Sequence, residues 1–408
     1  MAFVQTILSS LKTSAGETMN AVQHRLCELV KATLNNTSYT VPIDDIHRVY
    51  SAARDAELSG MVFGVLDHAS IPPDVYARFR KDALLFQAHH EKQIYLIDRI
   101  KTVFDKANIP HIFLKGAVLK ARYPEPYMRS MGDIDVLVNK TDHHAALTQL
   151  KRIGFTITGD SRAHTNLLSP EKMRVELHPE LYSSIHPKYD GLFHDVWSHA
   201  VLVDKQTHRF TPDFELAYLT YHTIKHFYGT GVGLRTVLDI GLYAKHHENT
   251  IDSAAFRSFL KAHHLLTVFM NMLELSERCF SLSAFDNLRK DHTMTDTLYD
   301  GIIKHIFASG VHGKSASYNP FIGRVGAARL KKQGRLRFAL TLLFPSYADM
   351  KATRGWLRSP LLLPFAWAGR LMRLLFGRTK RSFKKIKHLC FKRAKADETS
   401  AMFRELGL

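Results

Sequence analysis

The sequence predicts an α+β protein, with a small mixed sheet core flanked by N-terminal and C-terminal helical regions and followed by a basic, amphipathic tail. Three observations carry this reading. Apolar residues keep a helical period up to about residue 108, break into short alternating runs between 111 and 180, and resume the helical period from about residue 211. The division that results is 1–108, an N-terminal helical region; 109–210, the α/β core; 211–312, a helical domain; and 313–408, the basic C-terminal segment. A chain of 408 residues has room for this, since domains average ~100 to 200 residues.

Taken in order, YARFRKDALLFQAHHEKQIYLIDRIKTVFDKANIP places Leu84, Leu85, Ile94, Leu96, Ile97, Ile100 and Phe104 on one helical stripe, and Pro110 ends it. Strands are predicted at His111–Leu114, Ile134–Val138, Phe155–Thr158 and Met173–Leu177. Between the second and third lies a helix capped by Thr141 or Asp142, with Ala146, Leu150 and Ile153 on one face and Gly154 just past its end. From Thr211 three amphipathic helical stretches follow with no further strand, and the Gly-, Ser- and base-rich run 313–334 reads as a linker. The histidine doublets at 89, 143, 246 and 263 read as exposed polar faces.

Composition excludes several classes. Apolar residues make up 45% and charged residues 23%, which rules out collagenous or wholly disordered chains. Cys27, Cys279 and Cys390 cannot build a disulfide framework or a cysteine-rich zinc module, so a reducing, cytoplasmic setting is expected. The N-terminus has no basic region before its short apolar run, and no window offers the ~20 apolar residues of a spanning helix. The formal net charge of +18 is concentrated. Residues 321–395 hold 20 Lys or Arg and one acid, Asp349, so the rest of the chain is close to neutral.

Chemistry concentrates in two segments, FLKGAVL and RSMGDIDVLV. Asp133 and Asp135, two apart on a strand, leave the same face and repel each other unless a cation stands between them. An all-oxygen pair suits Mg²⁺ or Mn²⁺ better than zinc. Lys115-Gly116 follows a strand and opens the predicted helix AVLKARY, where a phosphate could approach the backbone N–H groups beside a lysine charge. Arg174, Glu176 and His178 share one face of a later strand, and Glu176 offers the third carboxylate that a two-metal site needs.

This set, LKGAVL, YPEPYMRSMGDIDVLV and VELH, resembles the polymerase-β-like nucleotidyltransferase superfamily, and within it the uncharacterised nucleotidyltransferase family, over roughly residues 40–245. The resemblance implies that Asp133, Asp135 and Glu176 are catalytic and hold Mg²⁺ or Mn²⁺, and that Lys115 and Gly116, with Arg129, contact nucleotide phosphates. The broader superfamily has a serine after the turn glycine. This chain lacks it, so phosphate binding falls to Lys115 and Arg129. The alternatives are a surface Arg129 that pairs with Asp133 or Asp135 and a Glu176 that is merely a satisfied strand carboxylate. The implied reaction moves an NMP from an NTP to an acceptor hydroxyl and releases pyrophosphate; the acceptor is not identified. The rival reading is a non-catalytic membrane- or nucleic-acid-docked binding protein of the same fold. A third is transfer of the γ-phosphate.

His222 and His226 have zinc-helix spacing, but Thr223 stands where a metalloprotease needs Glu. The alternative is that Lys225 and His226 face the cleft. Gly229–Gly233 lacks the lysine of a phosphate loop and reads as a turn, and Arg235 with Asp239 reads as a helix ion pair or a link to the core. In the tail, residues 335–395 interleave Trp356, Trp367 and leucine runs with Lys and Arg, as an interfacial helix on anionic lipid does. A peripheral position on the inner membrane face is expected, ahead of nucleic acid as partner and of a tail that packs on its own core or on a protein partner.

Overall fold

The structure, a computed structural model, describes residues 20–310 apart from 41, 162 and 184, and then 340, 343–347, 350, 357, 359–376 and 393–408. Helix α1 (Ala21–Leu34) starts with a capping box, in which Asn20 and Gln23 each accept the other's backbone N–H. After α2 (Ile46–Asp55), Pro73 opens the long α3 (Pro73–Lys106). Helix α3 packs on the body through Val75 and Phe79 near its start and through Leu96, Ile100 and Phe104 near its end, and the buried Gln93 between them donates to the Met131 carbonyl. Leu84, Leu85 and Ile94 are exposed, so the expected continuous stripe is interrupted in the middle. The helix stops at Lys106, before Pro110, because Asn108 turns left-handed at φ 53°.

Seven strands form one mixed sheet: β1 (His111–Phe113), β2 (Asp133–Val138), β3 (Thr156–Asp160), β4 (Thr165–Leu168), β5 (Arg174–His178), β6 (Ala200–Asp204) and β7 (Thr207–Phe210). Their order is β3-β4-β5-β2-β1-β7-β6. The central β2 pairs antiparallel with β1 and parallel with β5. Strands β4, β6 and β7 are additions to the four expected. β6 carries Val201, Leu202 and Val203 exposed, so it shows no alternation by which a sequence could reveal it.

Helix α4 (His143–Arg152) lies between β2 and β3 with Ala146 and Leu150 buried. Gly154, at φ 92°, ends it as expected, but Asp142 makes no side-chain cap bond. The helical part follows as α5 (Pro212–Tyr228), α6 (Leu234–His247), α7 (Ser253–Ala262), α8 (Leu266–Phe280) and α9 (Asp296–Ser309). Two more helices are described beyond it, α10 (Leu363–Phe376) and α11 (Arg393–Leu406). The doublet residue His247 is buried against Tyr243, not exposed.

Each face of the sheet has its own core. Ile134, Val136, Val138, Val175 and Leu177 pack with Leu96, Ile100 and Phe104 of α3 and Ala146 and Leu150 of α4. Ile112, Leu114 and Leu137 leave the opposite face and join a larger cluster that includes Leu26, Val49, Leu219 and Phe269. The helices before the sheet and those after it therefore share one core. Alternation along β2 puts Asp133 and Asp135 on the side of Leu137, towards that helical body.

The C-terminal segment differs from a uniform basic tail. Its last helix, α11, buries Phe403 and Leu406 in the large cluster, and Asn271 Nδ2 donates to the Leu406 carbonyl at 3.2 Å. The predicted linker at 313–334, Trp356 and the run Arg378–Lys387 lie outside the described residues.

One buried carboxyl sets a pH dependence. Glu215 in α5 is fully enclosed, its Oε1 has no hydrogen-bond partner, and burial pushes its pKa up to about 8. The folded state thus holds the proton more tightly than the unfolded chain. This stability is complete below the ordinary carboxyl value of ~4.3 and is lost as pH rises through about 8. Thermal denaturation of Glu215→Gln should match the parent at pH 4 and melt several degrees higher at pH 9; equal melting at both pH values would show that the carboxyl is solvated.

Candidate active site

The site begins with the strand ends. Parallel pairing sets Asp133 opposite Arg174 and Asp135 opposite Glu176, so β2 and β5 offer three carboxylates on one face. β1 delivers Lys115 to the same place. Leu114 N–H donates to the Asp135 carbonyl at 3.0 Å, and Lys115 then takes φ 51°, ψ −115°, a conformation that costs a non-glycine residue ~1–3 kcal/mol. Its Nζ lies 2.7 Å from Asp135 Oδ1. His178, two residues beyond Glu176, places Nε2 at 3.0 Å from the same oxygen.

The electrostatics follow from this packing. Burial alone would raise the Asp135 pKa, but the Lys115 ammonium and the His178 hydrogen bond outweigh it and hold the carboxyl well below the usual range. Burial would likewise discharge Lys115, and Asp135 keeps it charged. Asp133 is pushed up by burial and by the charge of Asp135. Glu176 is raised by the same two causes, to about 7. His164 is lowered to about 4 by burial and by His178, so it is a neutral imidazole.

Helix α5 covers the carboxylates. Tyr218, Tyr221, His222 and Lys225, spaced as one helical face, line a cleft with Lys115, Glu176 and His178. Its free volume is about 70 Å³. Lys225 thus faces the cleft, and His226 instead contacts His222 and Thr230. A larger cleft of about 560 Å³ opens on the other side, lined by Gly132, the residue before Asp133, and by Lys92, Gln93, Lys120, Lys172 and Arg174.

Two expectations need correction. AVLKARY is not a helix with a useful dipole; Gly116–Leu119 is a single α turn followed by a 3₁₀ turn, Lys120–Arg122. Gly116 is required by packing, because a Cβ there would lie 2.5 Å from Met131 Sδ and 2.6 Å from Arg129 Nη1. Arg129 is buried away from solvent. Its Nε and Nη2 donate to Asp239 Oδ1 and Oδ2 at 3.0 and 2.9 Å, and Nη1 donates to the Ser130 carbonyl at 3.1 Å. Tyr123 OH donates to Asp239 as well, at 2.8 Å, and Lys120 Nζ donates to the Arg129 carbonyl at 2.8 Å. Asp239 is therefore the partner of Arg129, and Arg235 bonds Glu57 and Ser130, so the i,i+4 pair does not form and the link to the core does.

The segment 42–281 matches the family described as uncharacterised nucleotidyltransferase. The chain belongs to the uncharacterised nucleotidyltransferase family. The match takes in β1 to β7 and every residue of the site. No curated protein matches the chain. Solved structures similar to it include a solution structure of the antibiotic-resistance factor ANT(2'')-Ia, at 14% identity and TM-score 0.31, covering 42% of this chain and 95% of that one. A crystal structure of ANT(2'')-Ia in complex with adenylyl-2''-tobramycin is 12% identical, with TM-score 0.32, covering 42% and 97%.

Within this nucleotidyltransferase family member, the residues missed by the sequence reading are His164 and the tyrosines of α5. The Tyr218, Tyr221, His222, Lys225 spacing was legible as a helix face; the position of His164 depends on a hairpin register. The Arg129–Asp239 pair ties the approach to β2 to helix α6. Asp239→Ala, which strands a buried guanidinium, should cost about 3–5 kcal/mol in urea denaturation. Arg129→Met combined with Asp239→Leu should recover most of that loss. A double variant as unstable as the single one would show that the pair is not the anchor.

Proposed function

We propose that the protein moves an NMP from an NTP to an acceptor hydroxyl and releases pyrophosphate. What carries the reading is the β2–β5 register, which sets Asp133, Asp135 and Glu176 on one face with Lys115 among them. The donor set fits a divalent ion, Mg²⁺ or Mn²⁺, held by those three carboxylates. Such an ion supplies charge neutralisation to the triphosphate and polarises the reacting phosphorus. Lys115, whose ammonium rests on Asp135, would bind phosphate oxygens when a cation took its place there. Gly116 serves by keeping the turn close to Met131, and Arg129 by fixing the chain that leads into Asp133. The cleft of about 560 Å³ reaches Gly132 and Arg174, the neighbours of Asp133, and offers room for a substrate there, while Glu176 lines the smaller cleft.

In a host lysate, label from an α-labelled NTP should enter an acceptor with pyrophosphate release. Asp133→Asn with Asp135→Asn should cut incorporation by at least ~10²-fold, and Lys115→Met should raise the NTP concentration needed. Equal incorporation by the double carboxylate variant and the parent would remove these residues from the reaction. Label entering only from the γ-phosphate would make the protein a phosphotransferase, and no Mg²⁺-dependent NTP binding at all would favour the non-catalytic binding protein.

We further propose that the C-terminal segment rests on an anionic membrane face. Among the described residues no helix is long and apolar enough to cross a membrane. Helix α10 nevertheless leaves Leu361, just before it, and Phe365 and Met372 exposed by 85, 70 and 56% along one side. Its other side is engaged, with Ala366 packed on Met350 and Leu357 and Trp367 Nε1 donating to the Pro345 carbonyl at 2.9 Å. Apolar side chains projecting from a segment this basic match an interfacial anchor. The full chain should sediment with phosphatidylserine vesicles and not with neutral ones, and Phe365→Asp should weaken that binding several-fold. Binding to RNA with no vesicle binding would reassign the partner.

A further inference from the structure

The sequence signature of the site is all oxygen, yet the fold brings two imidazoles to it. His164 closes the turn between β3 and β4. Ser161 N–H donates to the His164 carbonyl at 3.1 Å, and Ser161 Oγ accepts the N–H groups of Ala163 and His164 at 3.2 and 3.1 Å, so the turn is held from within. Pairing of β4 with β5 sets Thr165 opposite Leu177, which puts His164, one residue earlier, beside His178. Their rings meet edge to face with centroids 5.1 Å apart. Glu176 lies on the same face of β5 as His178.

One ligand atom from each of His164, Glu176 and His178 lies within 4.8 Å of the other two. His164 Nδ1 and His178 Nε2 stand 3.5 and 3.7 Å from Glu176 Oε2. Donors bound to a common ion at ~2.1 Å in tetrahedral array are separated by roughly 3.4 Å, so these gaps match atoms around a shared centre. His178 Nε2 also lies 3.0 Å from Asp135 Oδ1. Binding an ion through that nitrogen moves its proton to Nδ1 and leaves the Asp135 oxygen facing the same ion.

We propose that His164, Glu176 and His178 form a metal seat that takes a first-row transition-metal ion in preference to Mg²⁺. Imidazole nitrogen favours Co²⁺, Ni²⁺ or Zn²⁺, whereas Mg²⁺ seeks oxygen and keeps its waters. Two histidines and a glutamate with a position left open is a donor set zinc enzymes use. The inference deepens the nucleotidyl-transfer reading, since it names the class of ion at carboxylates that reading assigns, but it is observable with no nucleotide present.

The test uses the full chain stripped of metal by a chelator and titrated with Co²⁺, whose visible absorption reports its ligands. Expected is one Co²⁺ per chain with the intense bands of a low-coordinate nitrogen-containing site, resistant to a large excess of Mg²⁺. His164→Ala and His178→Ala should each weaken Co²⁺ binding by at least about tenfold, ~1.4 kcal/mol, with the exposed His89→Ala as control. Asp133→Asn should abolish nucleotide transfer and leave Co²⁺ bound, so failure of the transfer reading and failure of this seat are separable. Histidine variants that bind Co²⁺ like the parent, or the weak spectrum of an all-oxygen octahedral ion, would overturn the proposal. Should the alanine variants misfold, nitrogen hyperfine coupling in the EPR of bound Cu²⁺, an ion that seeks imidazole, decides it on the unaltered protein; absence of that coupling refutes the seat.

Discussion

Carboxylates on one face of two adjacent strands repel each other, and they stay together only if positive charge stands among them. Asp133, Asp135 and Glu176 meet that condition through Lys115, whose ammonium rests on Asp135, and His178 Nε2 lies on the same oxygen. Much of the local architecture serves this arrangement. The strained backbone at Lys115 turns its side chain back to the sheet, Gly116 lets the following turn close on Met131, and the Arg129–Asp239 pair fixes the chain entering β2. Burial raises the stakes for each charge, because an ion removed from water is tolerated only when its partner is close.

What the sequence revealed of this site and what it hid divide along physical lines. The two aspartates and Glu176 were legible because a strand alternates with period two, so sharing a face is a local property. Lys115 was legible as a cation just after a strand. The role of Arg129 was not, because its partner Asp239 comes from a distant helix and only tertiary packing joins them. His164 was hidden for a similar reason: its place beside His178 follows from the β4–β5 register, and β4 itself, Thr165–Leu168, is too short to announce its period. The fold class was readable from the change of apolar period, whereas β6 and β7 were not, since β6 exposes its apolar side chains and the four-residue β7 buries only Phe210.

The large core also explains why a linear division of the chain understates how the site is held. Leu26 and Val49 from before the sheet and Leu219 and Phe269 from after it lie in one cluster, which backs the helix that covers the carboxylates. The family match, residues 42–281, ends near the close of α8, yet α1 and α11 pack into that same cluster from outside the matched span. Support for the carboxylate face therefore comes partly from segments that the family pattern does not include.

The seating of α11 has a mechanical consequence. Phe403 and Leu406 lie in the same cluster as Leu298, Ile302 and Ile306 of α9, so the strongly basic stretch of sequence between the two helices is tied to one core on both sides. A tail attached once lets the body swing through a hemisphere around its anchor point. A segment attached at two points limits that rotation, so a surface held by such a segment would meet the body within a narrower range of angles.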